Sequence, residues 1–283
     1  MRTFGIGVTT GAALLALLFM LPMDPVTAEV PTGTPTFSDP LAIDNAHLPF
    51  FRYRIRLYEQ VKGSGDLHVI DVFLGETRVF EWNGAMVECA VLQEWEVDAG
   101  EVVEISINYF AQADDGSVYY FGETVDKYED GVIVGHGGSW LVGGPEAGDP
   151  SETVTADDPT LFMPADPEVG DQWKAEDLPD FDIEEFDEVV KIVKKLKVPA
   201  GKFKKVLKVK EETPDVGFKW YAPGLGFIQQ KDGREVISLE AIFDNDDAEE
   251  MAEALEEIVE ELLGCDDDDG DADDDDEDCG EED

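Results

Sequence analysis

The stretch NGAMVECAVLQEWEVDAGEVVEISINYFAQADDG, Asn83 to Gly116, decides the fold. Val87, Cys89, Val91, Trp95 and Val97 fall on one face of an extended strand. After Asp98-Ala99-Gly100, Val103, Ile105, Ile107 and Tyr109 take one face of the next strand, with Glu104, Ser106 and Asn108 opposite. Side chains alternate across a strand, so apolar residues at every second position mark a strand with one buried face. Asn83-Gly84, Asp98-Ala99-Gly100 and Asp114-Asp115-Gly116 bound the two runs with residues that tolerate the left-handed backbone of tight turns. The unit predicted is an antiparallel meander.

The same pattern extends both ways. From Pro49, Phe51, Tyr53, Ile55 and Leu57 alternate with Arg52, Arg54 and Arg56, a half-buried strand. Val69 to Phe80 is a second strand region, interrupted at Gly75. Val118 to Tyr128 is aromatic and strand-forming, and Asp130-Gly131 closes the next hairpin. Regularity fails between Gly143 and Asp187, which reads as a long acidic surface insert (143–187) anchored by Phe162, Met163 and Trp173. Strands resume at Val189, with turns at Pro199-Ala200-Gly201 and Asp232-Gly233, and end near Phe243. The predicted fold is mainly β: an antiparallel meander over 49–243, curved into a half-barrel or sandwich.

Residues 244–264 change period. Met251, Leu255, Ile258, Val259 and Leu262 lie at helical spacing, Asp244 or Asn245 offers a cap, and Gly264 offers a stop. This helix should dock its apolar stripe on the domain or on a partner.

At the other end, Arg2, the apolar run Ala12 to Met23 and the small-residue site Val26-Thr27-Ala28 read as a signal peptide over 1–28, cleaved near Ala28. The apolar core is short for an uncleaved anchor, and no later segment is apolar enough for a membrane span. Residues 29–48, rich in Pro, Thr and Ser, read as a linker or extended lead-in. The mature protein is expected outside the cytoplasmic membrane, secreted or periplasmic.

The net charge is -47, and residues 244–283 carry 24 of the 67 acids and no base. Phosphate backbones would be repelled, which argues against nucleic acid as a partner. Residues 265–283 hold fourteen carboxylates between and beyond Cys265 and Cys279 and have too little apolar surface to fold, so a disordered tail is expected. In an oxidising compartment a Cys265–Cys279 disulfide is the economical pairing, with linkage to another chain the alternative. Cys89 reads as a buried core thiol. Asp267, Asp269, Asp273, Asp276 and Asp278, with Gly270 among them, offer the oxygen ligands calcium prefers, although in so acidic a run most spacings occur by chance. The same tail could serve as a diffuse sink for divalent cations, meet a cationic surface, or only solubilise the chain. Lys191 to Lys210 carries nine lysines. They could block strand addition at an edge, receive the tail in an intramolecular contact, or meet an anionic surface.

Two resemblances accompany these readings. Tyr109 to Glu123, Tyr128 to Gly131, Gly138 to Trp140, Met163 to Ala165, Val169 to Asp171, Val198 to Phe203 and Trp220 to Gly226 resemble an uncharacterised family of secreted bacterial proteins, over roughly 49–243. That resemblance implies a β-rich fold and an exported location, and no reaction. The tail spacing resembles thrombospondin type 3 calcium loops, with Cys265 where their pattern begins with Asp.

No catalytic pattern stands out. His47, His68 and His136 lack metal-ligand spacing, and Gly135-His136-Gly137-Gly138 has no G-x-S-x-G elbow to serve. Glu123 and Asp126 form at most a carboxylate pair. The aromatic run is more suggestive: Tyr109, Phe110, Tyr119, Tyr120, Phe121 and Tyr128, with Trp140, could line a pocket or ligand-binding face, or be ordinary sheet core. The leading expectation is a non-enzymatic secreted or surface-associated binding protein whose tail takes calcium or other cations weakly. A carrier of lipid or another apolar ligand on the β domain's concave face is the second reading. A hydrolase of extracellular polymer is the third, and it requires two facing carboxylates in a cleft.

Overall fold

The structure, a computed structural model, describes residues 28–30, 33–63, 65–178, 183–213 and 216–264. The meander is present as β2 (Arg54–Lys62), β3 (Leu67–Trp82), β4 (Ala85–Asp98), β5 (Glu101–Gln112) and β6 (Val118–Glu129), each antiparallel to the next. A second meander comprises β11 (Asp171–Leu178), β12 (Ile183–Val198), β13 (Gly201–Glu212), β14 (Val216–Ala222), β15 (Gly226–Asp232) and β16 (Glu235–Asp244). β16 pairs with β2, so the two meanders form one continuous sheet. Short strands finish its arms: β1 (Ala28–Glu29) runs parallel to β11, while β7 (Val132–Gly135), β8 (Trp140–Val142) and β10 (Thr160–Met163) pair with β6, and β9 (Val154–Ala156) with β8. The sheet curls until β10 lies beside β11, but no ladder joins them, and the barrel stays open. The curved, mainly β architecture with a C-terminal helix is the one the alternation predicts.

Two segments differ from expectation. The stretch 143–187 is no excursion: it carries β9, β10, β11 and the start of β12, and Leu161, Met163 and Trp173 are buried in the main core. Nor is 29–48 a linker. Phe37 packs edge-on to Trp82, Tyr119 and Phe121, and Asn45 Nδ2 donates to Gly116 O and Pro164 O. Side chains fixed over such sequence distances make the lead-in a wall of the domain.

Helix α1 (Ala248–Leu263) docks in cis. Met251 and Ile258 bury against Ile55, Ile70 and Val72, with Leu255, Val259 and Leu262 beside them. Its cap is Asp247, not Asp244 or Asn245: the carboxylate accepts from Glu249 N and Glu250 N, satisfying two orphan amides. Gly264 ends the helix at φ 70. This docking decides which face of β2 and β3 turns inward. Ile55, Leu57, Ile70 and Val72 lie under the helix, so Arg56, Tyr58, Asp71 and Phe73 face the concave side.

The long β12–β13 hairpin makes a further core. Its tip passes over β15 to reach β16, where Ala200 N donates to Leu239 O at 3.0 Å. Val198 and Val206, with Leu196 and Phe203 against them, pack on Trp220, Ile228 and Leu239.

Candidate functional site

The concave face encloses a cavity of about 270 Å3. Phe73, Phe110, Tyr120 and Phe227 supply aromatic walls from the sheet, Phe162 comes from β10, and Leu48 and Phe50 close it from the lead-in. Phe110 stacks on Tyr120 at 4.8 Å, and Phe162 stands edge-on to Phe110 at 5.2 Å, so this wall is packed rather than loose.

Into this apolar chamber the strands place charge. Arg56 is 2 % exposed. Its guanidinium lies 4.4 Å from the Phe73 ring centroid, and Nη2 donates to Leu225 O. A Cβ on Gly226 would stand 3.1 Å from Nη1, so the glycine leaves room for the arginine. Arg56 Nε–H is buried without an acceptor, a cost of about 1–3 kcal/mol unless something supplies one.

Asp71 and Glu94 sit directly opposite each other on β3 and β4 and hydrogen-bond through their side chains. Two carboxyls can do so only with a proton between them. Tyr58 OH donates to Asp71 Oδ2 at 3.0 Å. Burial pushes both carboxyls up; Arg56 pulls Asp71 back, while the Asp71 charge pushes Glu94 further. The pair therefore holds a shared proton above the usual carboxylate range. A carboxyl whose folded pKa is raised weakens the fold as pH climbs from its unfolded value toward its folded one. Glu94→Gln keeps a donor toward Asp71 and removes the titration. It should leave stability unchanged near pH 4 and raise it by about 1 kcal/mol near pH 8 in urea melts. Equal effects at both pH values would contradict the shared proton.

Lys219 and Gln230, partners across β14 and β15, line the same cavity. They also line an outer basin of about 660 Å3 with Glu185, Glu211 and Asp232, and so form the partition between the two. Lys219 Nζ lies 2.5 Å from Glu211 Oε1. Burial works against its charge, yet Glu211, with Tyr221 and Glu185, holds Lys219 well above the usual lysine range. Carboxylate oxygens of Glu185, Asp187 and Glu211 lie within 4.8 Å of one another. The Lys219 ammonium supplies a cation to that group.

Of the aromatic residues singled out from the sequence, Phe110 and Tyr120 line this cavity and the others are elsewhere. Tyr109, Tyr119 and Phe121 are buried on the opposite face of β5 and β6, around Phe37 and Phe80. Trp140 is buried in β8, edge-on to Tyr120 at 5.1 Å, and Tyr128 is half-buried near the end of β6. None of these five borders the cavity; Phe110 and Tyr120, from the same aromatic run, do. The Glu123–Asp126 pair is also replaced: Asp126 Oδ1 lies 2.7 Å from His136 Nδ1 instead. Ser139 Oγ accepts from Val125 N at 2.8 Å, so the Gly135–Gly138 turn is tied to β6. Cys89 is a buried free thiol, pushed up by burial. Asp267, Asp269, Asp273, Asp276, Asp278, Cys265 and Cys279 lie outside the described residues, as do residues 1–27 of the stretch that reads as a signal peptide. Among the described residues no helix is long and apolar enough to cross a membrane.

No family model and no curated protein matches the chain. Among solved structures, it is similar to a proposed exported protein with a YmcC-like fold from Bacteroides fragilis NCTC 9343, at 16% identity and TM-score 0.38. That match covers 71% of this chain and 100% of the other. It is also similar to a proposed lipoprotein from Parabacteroides distasonis ATCC 8503, at 12% identity and TM-score 0.35, covering 69% and 97%. Likeness at this level assigns neither family nor activity, so function is argued from the cavity.

Proposed function

We propose that the protein is a non-enzymatic, exported carrier of a small amphipathic ligand, held in the concave cavity. The observation that carries this reading is the pairing of an aromatic chamber with the buried Arg56 guanidinium in its wall. The ligand has an apolar body for Phe73, Phe110, Phe162 and Phe227, and a hydrogen-bond acceptor for Arg56. The chamber is near the lower end of small-molecule sites, about 300–1,000 Å3, which favours a short chain or single ring. Asp71 and Glu94 are two facing carboxylates, the feature a hydrolase needs. Glycosidases hold theirs about 5–9.5 Å apart to admit a sugar carbon or water, whereas a direct hydrogen bond leaves no such room. Their spacing supports a role in orienting the ligand head and Arg56.

Calorimetry with octanol, octanoate and octylammonium tests the reading. One-to-one binding of the two acceptor heads is expected, with a negative heat-capacity change and weaker binding of octylammonium. Leu92 lines the chamber, and Leu92→Trp should fill part of it and weaken binding at least about tenfold, or 1.4 kcal/mol. Failure of all three probes to bind, or indifference to Leu92→Trp, would end the carrier reading.

A further inference from the structure

The β12–β13 hairpin pairs lysine with lysine. Lys191 stands opposite Lys208, Lys195 opposite Lys204, and Lys197 opposite Lys202. Like charges directly opposite on a sheet repel, at about 0.2–1 kcal/mol per pair. Leu196 and Phe203 alternate with these residues and pack into the core beneath, so Lys195, Lys197, Lys202 and Lys204 share the outer face. Lys191, Lys194, Lys195, Lys197, Lys202, Lys204 and Lys205 are exposed, and none has a carboxylate partner among the described residues. In a chain of net charge -47, seven unmatched lysines on one hairpin require a physical account.

The route of the chain supplies one. The hairpin tip is fixed to β16 by the Ala200–Leu239 hydrogen bond. At the end of the described chain, α1 closes beside the β4–β5 turn, where a Cβ on Gly100 would stand 3.7 Å from Leu262 O. Gly264 N donates to Glu261 O and closes the last turn. The hairpin tip is thus fixed at β16, and the described chain ends at Gly264, beside the β4–β5 turn. The nineteen remaining residues reach up to about 60 Å when extended. They carry fourteen carboxylates.

We propose that the lysine ladder is the docking surface for the chain's own acidic segment, residues 265–283. The tether holds that segment at an effective concentration on the order of millimolar, so weak ion pairs suffice. A free polyanion must instead approach against the charge of the whole molecule. Beyond Val189, β12 has no partner on its β11 side, and the docked segment also shields that edge.

Carbodiimide coupling of carboxylates to lysine amines tests this on the full chain, mixed from light- and heavy-nitrogen preparations. Links from residues 265–283 to Lys195, Lys197, Lys202 and Lys204 are expected within single isotopic populations. Their yield should fall at least about fivefold between about 10 mM and about 500 mM salt, as the screening length shrinks from about 30 Å to about 4 Å. In a full-chain variant with these four lysines changed to Gln, tail links should vanish rather than move. Four results would each overturn the proposal: links spread equally over Lys62, Lys127 and Lys231; a yield indifferent to salt; mixed-isotope links; or sedimentation of the full chain with anionic phospholipid vesicles that the variant loses. The last would make the hairpin a surface anchor.

Discussion

Gly122→Ala should unfold the protein more readily than any other single methyl addition to the sheet, lowering stability by about 3 kcal/mol or more. Gly122 sits at φ +116, a backbone conformation that L side chains avoid. A Cβ there would stand 2.2 Å from Trp140 O and 2.9 Å from Leu141 Cα. Both are backbone atoms of β8, which cannot rotate aside, so the whole strand must retreat. Trp140 and Leu141 are fully buried, and Trp140 braces Tyr120 on the cavity wall. Ligand affinity should fall along with stability. Gly131, at φ +71 with open space around it, is the control: Gly131→Ala should cost only about 1 kcal/mol. Urea melts of both variants decide the matter, and similar losses in the two would show that β8 is not held so closely.

Arg56→Leu should cost about 3–5 kcal/mol near pH 7, because it leaves buried carboxyls without their cation. The loss must depend on pH. Without Arg56, Asp71 is pushed further above its unfolded value, and a raised carboxyl penalises folding only above the unfolded pKa of about 4. The deficit should therefore shrink as pH falls toward 4, leaving the smaller loss of the bond to Leu225 O. Adding Asp71→Asn to Arg56→Leu should recover much of the difference at pH 7, since the two residues are coupled. Additive losses, or a deficit equal at both pH values, would show that Arg56 acts by packing on Phe73 alone.

These two residues mark the limits of what the sequence discloses. Asn83-Gly84, Ala99-Gly100 and Asp130-Gly131 all take positive φ, so turn chemistry located the hairpins correctly. The helical stripe with Met251 and Ile258 was equally plain, because spacing alone defines it. Alternation gave the two faces of β2 but not which one meets solvent. The arginines read as the outer face, yet α1 covers Ile55 and Leu57 and turns Arg56 inward. The same ambiguity left the aromatic run undivided, since β5 and β6 are buried on both faces and only Phe110 and Tyr120 of that run meet the cavity. In 143–187, β9 and β10 are short, and β10 pairs with β6 about 40 residues earlier, which no local period reveals. The Asp71–Glu94 contact arises from β3–β4 register, lost among so many acids in the sequence.

The junction of β16 with β2 has a consequence for how the molecule comes into being. Arg54 and Asp244, joined there at 2.5 Å, are 190 residues apart in the chain. At about 5–20 residues per second, the amino-terminal strand waits about 10–40 s for its partner to be synthesised. Throughout that interval β2 is an open edge, and loop-closure entropy opposes the final pairing. Acidity then matters before there is any folded surface to solubilise. Nascent chains that repel one another cannot easily trade strands, so the excess of carboxylates guards the unfinished sheet until its last strand arrives.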